Sequence, residues 1–353
     1  MPIAGTNIPL ITTPEGRDKI TQTEKVTTPY FSDGSTTLLA ASITTSSLTT
    51  TNENYFFGIS NSSTTTTTEF NIAFGSSTGY GGAKDDTKSK TEAIYKQYSN
   101  LLLAPTEVTG GFFISSLGSS GKLTAKDENI FVLSSTRTNM KDRLNKGTWT
   151  ITLSGSNTLG TALPKLELTD DSVSSNPTAT PVGDRYNIVS GSAGTVTTAA
   201  STRNYGFFYP DAGLMVLSQA ELSASIPGTG ANKDNTVVFG NTNKTHHGFG
   251  LGTGTGGTNK NIALRIANCL QPVGSLLTFR DEEDTVSAQY FCRVYSGDCN
   301  FSNNPTFVSG SLNELRNEKM KGNPQTFITS VQLYNDTGDI VAVGNLSTPL
   351  KKN

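Results

Sequence analysis

The chain has 353 residues, carries a formal net charge of −2, and is 34% hydrophobic and 16% charged. Both fractions fall below the usual levels of about 45% and about 25%, with Ser, Thr, Asn and Gly filling the gap. This length buries an ample core without staples, the low charge argues against simple disorder, and 27 basic residues dispersed among 29 acidic ones form no footprint for nucleic acid.

Residues 1–36, interrupted by Pro2, Pro9, Pro14 and Pro29, are expected to be an extended amino-terminal arm that runs over a neighbour. Met1-Pro2-Ile3-Ala4-Gly5 lacks a basic n-region and an apolar core, and no run approaches a membrane span. No membrane partner is therefore expected. Residues 37–83 form a Thr/Ser-rich segment with no Lys or Arg and a pure threonine run from Thr64 to Thr68. Threonine favours a half-buried pleat, so residues 55–59 and 70–74 are predicted strands joined by a polar crossover. Ile94, Tyr98, Leu101 and Leu102 recur at helical spacing and Ala104-Pro105 stops the run, which predicts a helix over 88–103 that covers a sheet.

Strands are predicted at 112–114, 130–133, 148–153 and 186–189, with an exposed loop from Asp170-Asp171 to Val182-Gly183. Ser218 is placed to cap a short helix with Glu221 completing a capping box, and a second helix is expected over 261–270. No fixed-period repeat is present. Residues 84–353 thus read as the β-rich core. The expected class is mainly β (α+β): antiparallel β-sandwich or sheet domains with a few covering helices.

Motifs with chemical meaning are sparse. Gly75-Ser76-Ser77-Thr78-Gly79 has the spelling of a nucleophile elbow, but the chain continues Tyr80-Gly81-Gly82 where that motif needs a helix. The glycine stretch 248–257 lacks the Gly-Lys-Ser/Thr ending of a phosphate loop and the spacing of a dinucleotide fingerprint. The adjacent His246 and His247 cannot face one ion from a regular element, and the chain holds no other His, so no zinc is assigned. Asp85-Asp86, Asp170-Asp171 and the run Asp281-Glu282-Glu283-Asp284 sit beside turn residues and are expected to be solvated rather than paired acids of a glycosidase. A calcium site at Asp336 and Asp339 is equally disfavoured. Cys292 and Cys299 would approach one another if the intervening Ser-Gly-Asp turn closes a hairpin, although cytosolic assembly favours thiols; Cys269 reads as a packed small hydrophobe. The expected catalytic, cofactor-binding and metal residues are therefore none.

The carboxy terminus carries the clearest pattern. Phe327, Val331 and Leu333 are assigned to one face of a strand and Ser330, Gln332 and Tyr334 to the other, with Val331 and Leu333 expected to be buried. Asn335 to Asp339 supplies turn formers, with Gly338 suited to positive φ, and Ile340 to Val343 returns as a β-branched run, so a hairpin is predicted over 326–344.

Three segments here resemble virion structural proteins of T4-like contractile-tailed phages, including those of marine cyanobacteria: Asn300-Phe301-Ser302-Asn303-Asn304-Pro305-Thr306-Phe307, residues Phe327 to Asp336, and Ala342-Val343 with Pro349-Leu350-Lys351. Gln332 stands where the family pattern has glycine, and Gly344-Asn345 where it has alanine-lysine. Shorter likenesses lie at Ile94-Tyr95-Lys96-Gln97-Tyr98, Met140-Lys141-Asp142-Arg143-Leu144 and Tyr205-Gly206-Phe207-Phe208-Tyr209-Pro210-Asp211. The resemblance covers most of the chain from residue 88 onward. It implies a non-enzymatic component of the tail, baseplate or neck, assembled in the host cytoplasm and incorporated into the virion as a symmetric homo-oligomeric ring among other virion proteins. A receptor-binding or fibre-attachment module and a capsid decoration protein are the alternatives.

Overall fold

The structure, a computed structural model, describes residues 19–39, 42–44, 56–60, 67–79, 90–107, 111–114, 126–153, 165–197, 203–225, 266, 269–270, 276–291, 294, 297, 300–309, 314–335 and 337–352. In chain order the elements begin with β1 (Lys19–Pro29), β2 (Thr37–Leu39), β3 (Ser42–Thr44), β4 (Phe56–Ser60), β5 (Thr68–Ser76) and helix α1 (Thr91–Leu102). There follow β6 (Asn129–Ser135), β7 (Arg143–Leu144), β8 (Thr150–Leu153), β9 (Leu166–Asp170), β10 (Thr178–Thr180), β11 (Gly183–Ser192) and β12 (Thr195–Val196). Next come β13 (Gly206–Tyr209), β14 (Leu214–Ser218), helix α2 (Gln219–Ser225), β15 (Leu276–Thr278) and β16 (Arg280–Tyr290). The last are β17 (Val308–Ser309), β18 (Glu314–Leu315), β19 (Phe327–Tyr334) and β20 (Ile340–Lys351). The fold is mainly β, as expected.

Two units partition the chain: Lys25–Thr285, and Met1–Glu24 with Val286–Asn353. Within the first, the strands follow the order β2-β15-β8-β9-β11-β13-β14-β6-β5-β4-β3, and every neighbouring pair is antiparallel. The strands at its two ends, β2 and β3, are separated in sequence only by residues 40 and 41. Three Cα steps span at most about 11 Å. The sheet must therefore curl enough to bring its two end strands within that distance of one another.

The period-two pattern of strands divides the core cleanly. In β6, Phe131 and Leu133 enter the main core with Phe208 of β13 and with Met215 and Leu217 of β14. The alternate residues Ile130, Val132, Phe207, Tyr209, Leu214 and Val216 form a second cluster on the opposite face, with Tyr95 and Leu102 of α1 and with Phe112 and Ile114. Helix and sheet approach closely at Gly75, where an added Cβ would stand 3.0 Å from the backbone of Tyr95. A side chain at this position would crowd the helix backbone, so the close approach favours glycine near the end of β5. The predicted helical face is rotated: Thr91, Tyr95, Ser99 and Leu102 are buried, whereas Leu101 is exposed. The cause is Tyr95, whose hydroxyl donates to Asp127 O at 2.6 Å and accepts from Phe112 N at 3.1 Å.

The main core is filled by aromatic rings in contact. Tyr30 lies 4.8 Å from Phe70, Phe70 4.9 Å from Phe279, and Phe279 stacks on Trp149 at 5.6 Å, which meets Phe208 edge-on at 5.3 Å. The core thus begins inside the segment expected to be an arm, at its described residues Tyr30 and Phe31. Tyr30 and Phe31 are fully buried core residues, because adjacent aromatics bury more apolar area than the preceding polar stretch can offset. The predicted border near residue 84 also lies inside the fold, since β5 before it and β6 after it are paired neighbours. In the Thr-rich segment, Glu69 is fully buried and accepts hydrogen bonds from Ser32 and Asn139.

One half of the predicted capping box is present. Ser218 Oγ accepts from Glu221 N at 3.3 Å, the N-cap half of the predicted box, while Glu221 Oε2 accepts from Arg203 Nε at 2.8 Å. Of the helix predicted over 261–270, Ile266, Cys269 and Leu270 are described, and all three are buried in the core. No helix among the described residues is long and apolar enough to cross a membrane.

Candidate interaction surface

In the unit that contains residues 286–353, β19 and β20 pair antiparallel as a two-stranded sheet. The turn is built by the predicted residues. Asn335 N donates to Asp339 O and Gly338 N to Asn335 O, each at 3.0 Å, while Asn335 Oδ1 accepts from Asp339 N at 2.7 Å. Gly338 has φ +86° and open space around its Cα, so only backbone strain selects glycine there. Hydrogen bonds from Thr337 and Asn335 hold the Asp339 carboxyl below its usual value. At its base the hairpin is tied by Lys352, whose N donates to Thr326 O at 3.0 Å and whose Nζ donates to Asn300 Oδ1 at 2.6 Å.

The expectation that Val331 and Leu333 are buried fails: they are 40% and 46% exposed. The reason lies in the pairing. Register sets Val331 opposite Gly344 and Leu333 opposite Ala342, small residues that give their neighbours little cover. The other face also differs from its sequence reading, because β20 contributes Val343 opposite Gln332, Ile340 opposite Tyr334 and Leu350 opposite Ile328. Val343, Ile340 and Leu350 are more than half exposed. Both faces of one hairpin are therefore apolar and uncovered, and β20 runs to Lys351, well past the predicted end at 344.

This density of exposed side chains is unusual. Isolated apolar residues on a surface need no explanation, but a contiguous set marks an interaction site. A two-stranded hairpin alone is at best marginally stable in water. No protein-family model, curated protein or solved structure matches this chain. Its chemistry has to be read from its own residues.

Those residues place the other candidates as follows. Ser77 lies in a turn over 77–79, with Ser77 N donating to Glu128 O at 2.7 Å and Gly79 N to Ser76 O at 3.2 Å, whereas a nucleophile elbow passes straight into a helix. Two of the three acidic pairs depart from the solvated reading. Asp170 is fully buried and accepts from Gly147 N at 2.9 Å; Asp171 is buried and accepts from Asn187 N and Nδ2, each at 2.9 Å. Burial pushes the Asp170 carboxyl up. These carboxylates close loops by satisfying backbone donors, which local sequence cannot reveal.

The run from Asp281 to Asp284 is likewise built into β16. Asp281 and Glu282 are buried; Lys141 N donates to Asp281 Oδ2 at 2.8 Å and Asn145 Nδ2 to Glu282 Oε2 at 2.6 Å. Arg143 of β7 reaches Asp284 at 2.6 Å, Glu282 at 3.5 Å and Asp211 at 3.5 Å. Burial raises the Asp281 carboxyl. The arrangement fastens β7 to β16 through paired charges. Among the described residues no group of three or more His, Cys, Asp or Glu is placed to hold a metal ion.

Cys269 is fully buried as a free thiol, and burial raises its pKa well above the ordinary value. Asp85, Asp86, His246, His247, the glycine stretch 248–257, Cys292, Cys299 and Asp336 lie outside the described residues.

Proposed function

We propose that this chain is a non-enzymatic structural component of a contractile-tailed phage virion, in the tail, baseplate or neck, and works by making contacts with neighbouring subunits. The observation that carries the reading is the coincidence of two independent features on one segment. Segments within Phe327 to Asp336 and Ala342 to Lys351 bear the resemblance to T4-like virion proteins, and the described strands there, Phe327–Tyr334 and Ile340–Lys351, form the hairpin whose apolar side chains are left exposed. An assembly protein needs such a surface, and a finished monomeric enzyme does not.

Mass spectrometry of purified particles of the encoding phage, with immunogold labelling of the intact virion, tests the proposal. Label on the tail, baseplate or neck is the expected result. Label at fibre tips or over the capsid would replace it with the receptor-binding or decoration reading. Absence from particles, or hydrolase turnover abolished by Ser77→Ala, would overturn it.

A further inference from the structure

We infer that the unit containing residues 286–353 opens separately from, and far more readily than, Lys25–Thr285 in the isolated chain, and takes on its full stability only on assembly. The inference rests on the assembly reading above and names the conformational step that accompanies it.

The two units differ in what they bury. Among the described residues of Met1–Glu24 and Val286–Asn353, Val308 is the one buried hydrophobic side chain, and every other one described lies within Lys25–Thr285. Phe291, Phe301, Phe327, Ile340, Val341 and Leu350 are all more than half exposed. Burial of apolar area is the main term that offsets the entropy of ordering a chain, so this unit has little to set against the cost of fixing its backbone. The change is visible along one strand: β16 is buried at Asp281 and Glu282 and exposed from Thr285 to Tyr290, and the border between the units falls after Thr285.

Hydrogen bonds do not make up the difference. Beyond the tails of β1 and β16, the described pairings of this unit are two separate two-stranded sheets, β17–β18 with two residues a side and β19–β20. The 3₁₀ turn Glu318–Met320 buries no residue. Independent stability needs three or more strands over an apolar face, or packing against a helix. Exposed bonds such as Thr337 Oγ1 to Asp339 Oδ2, at 2.7 Å, exchange one partner for water and contribute little net. A unit with few buried apolar contacts and exposed backbone bonds opens at low free energy, and contacts made on assembly supply the burial it lacks, as in segments that order on binding.

The experiment is hydrogen exchange by mass spectrometry on purified full-length chain, at a concentration where it sediments as a monomer. Peptides over 327–334 and 340–351 are expected to be protected at least about a hundredfold less than those over 129–135 and 214–218, which open only with the main sheet. Tyr30→Ala weakens the main core and is expected to speed exchange in β6 by about a hundredfold or more while leaving the hairpin unchanged. Tyr30→Phe, with a smaller effect in the same direction, serves if that variant does not fold. In purified particles of the encoding phage the hairpin peptides should slow by at least about tenfold. Hairpin peptides as protected as β6 in the isolated chain, or hairpin exchange that rises in step with β6 in the Tyr30 variants, would overturn the inference. Equal hairpin exchange in isolated chain and particles would overturn the ordering step and leave the virion reading intact. Absence from particles would sink the virion reading and the ordering step with it, while the separate opening of the unit stands or falls on the isolated chain.

Discussion

Tyr30 decides whether the segment before β2 belongs to the core. Its ring is 2% exposed and contacts Phe31 at 5.3 Å, Phe70 at 4.8 Å and Phe279 at 6.2 Å. Its hydroxyl donates to Glu69 O at 2.7 Å and accepts from Thr136 N at 3.2 Å. Tyr30→Ala removes a ring from a packed interior, at about 3–5 kcal/mol. Tyr30→Phe keeps the ring and strands the buried partners of the hydroxyl, at about 1–3 kcal/mol. For a unit of this size 1 kcal/mol moves the melting temperature by about 2–4 °C, so Tyr30→Ala should melt roughly 6–20 °C below wild type, with Tyr30→Phe between them. Deleting residues 1–36 removes both Tyr30 and Phe31, a loss of about 6–10 kcal/mol against a typical total of about 5–15 kcal/mol. The truncated chain should therefore fail to fold. Calorimetry and urea titration read all three. If the deletion melts like wild type and Tyr30→Ala costs less than about 1 kcal/mol, the segment is an arm after all and the core assignment is wrong.

Asp170 gives a pH test. Burial raises its folded-state pKa above 3.8, so the folded state favours the protonated form, and the stability this contributes is present below the unfolded value and lost as pH rises through the folded one. Relative to Asp170→Asn, which does not titrate, wild type should gain stability as pH falls from neutral toward about 4; a stability difference that is flat across that range would refute the buried carboxyl. Gly338→Val should cost about 1–2 kcal/mol through backbone strain alone, read as faster hydrogen exchange of the hairpin amides, while Gly338→Asn should be tolerated better. Equal exchange in both variants would show that the turn does not need positive φ.

The sheet was legible where periodicity and burial agree. Phe56 to Ile59, Ile130 to Leu133, Thr150 to Leu153 and Tyr186 to Val189 are strands in the structure as the pattern predicts, because short apolar or alternating runs bounded by turn residues suit strands with one or both faces buried. The misses share a cause. The run from Asp281 to Asp284 reads as solvated acids beside a turn but lies in β16, since Arg143, Lys141 and Asn145, about 140 residues away, compensate its acids. Asp170 and Asp171 read as solvated because the donors that satisfy them, Gly147 in the turn between β7 and β8 and Asn187 of β11, are distant in sequence. Phe207-Phe208-Tyr209 and Leu214 to Leu217, a hairpin closed at Pro210 and Gly213, was legible in principle from its apolar runs and turn residues.

For the candidate surface the limit was of another kind. The turn at Asn335 to Asp339 and the pairing of its flanks follow from local residues, but the character of each face is a property of two strands together. Taken singly, β19 has an apolar side and a polar one, and a buried–exposed assignment follows. Pairing adds Ala342 and Gly344 to the apolar side and Val343, Ile340 and Leu350 to the polar one, so the contrast between the faces is largely erased. A one-residue slip would restore it by moving each β20 side chain to the other face. The observed register, with its irregularities between Ile328 and Ser330 and between Leu333 and Tyr334, is thus what makes the hairpin two-sided. Mutations that shift register would consequently change the character of both faces at once while leaving the composition of the hairpin unchanged.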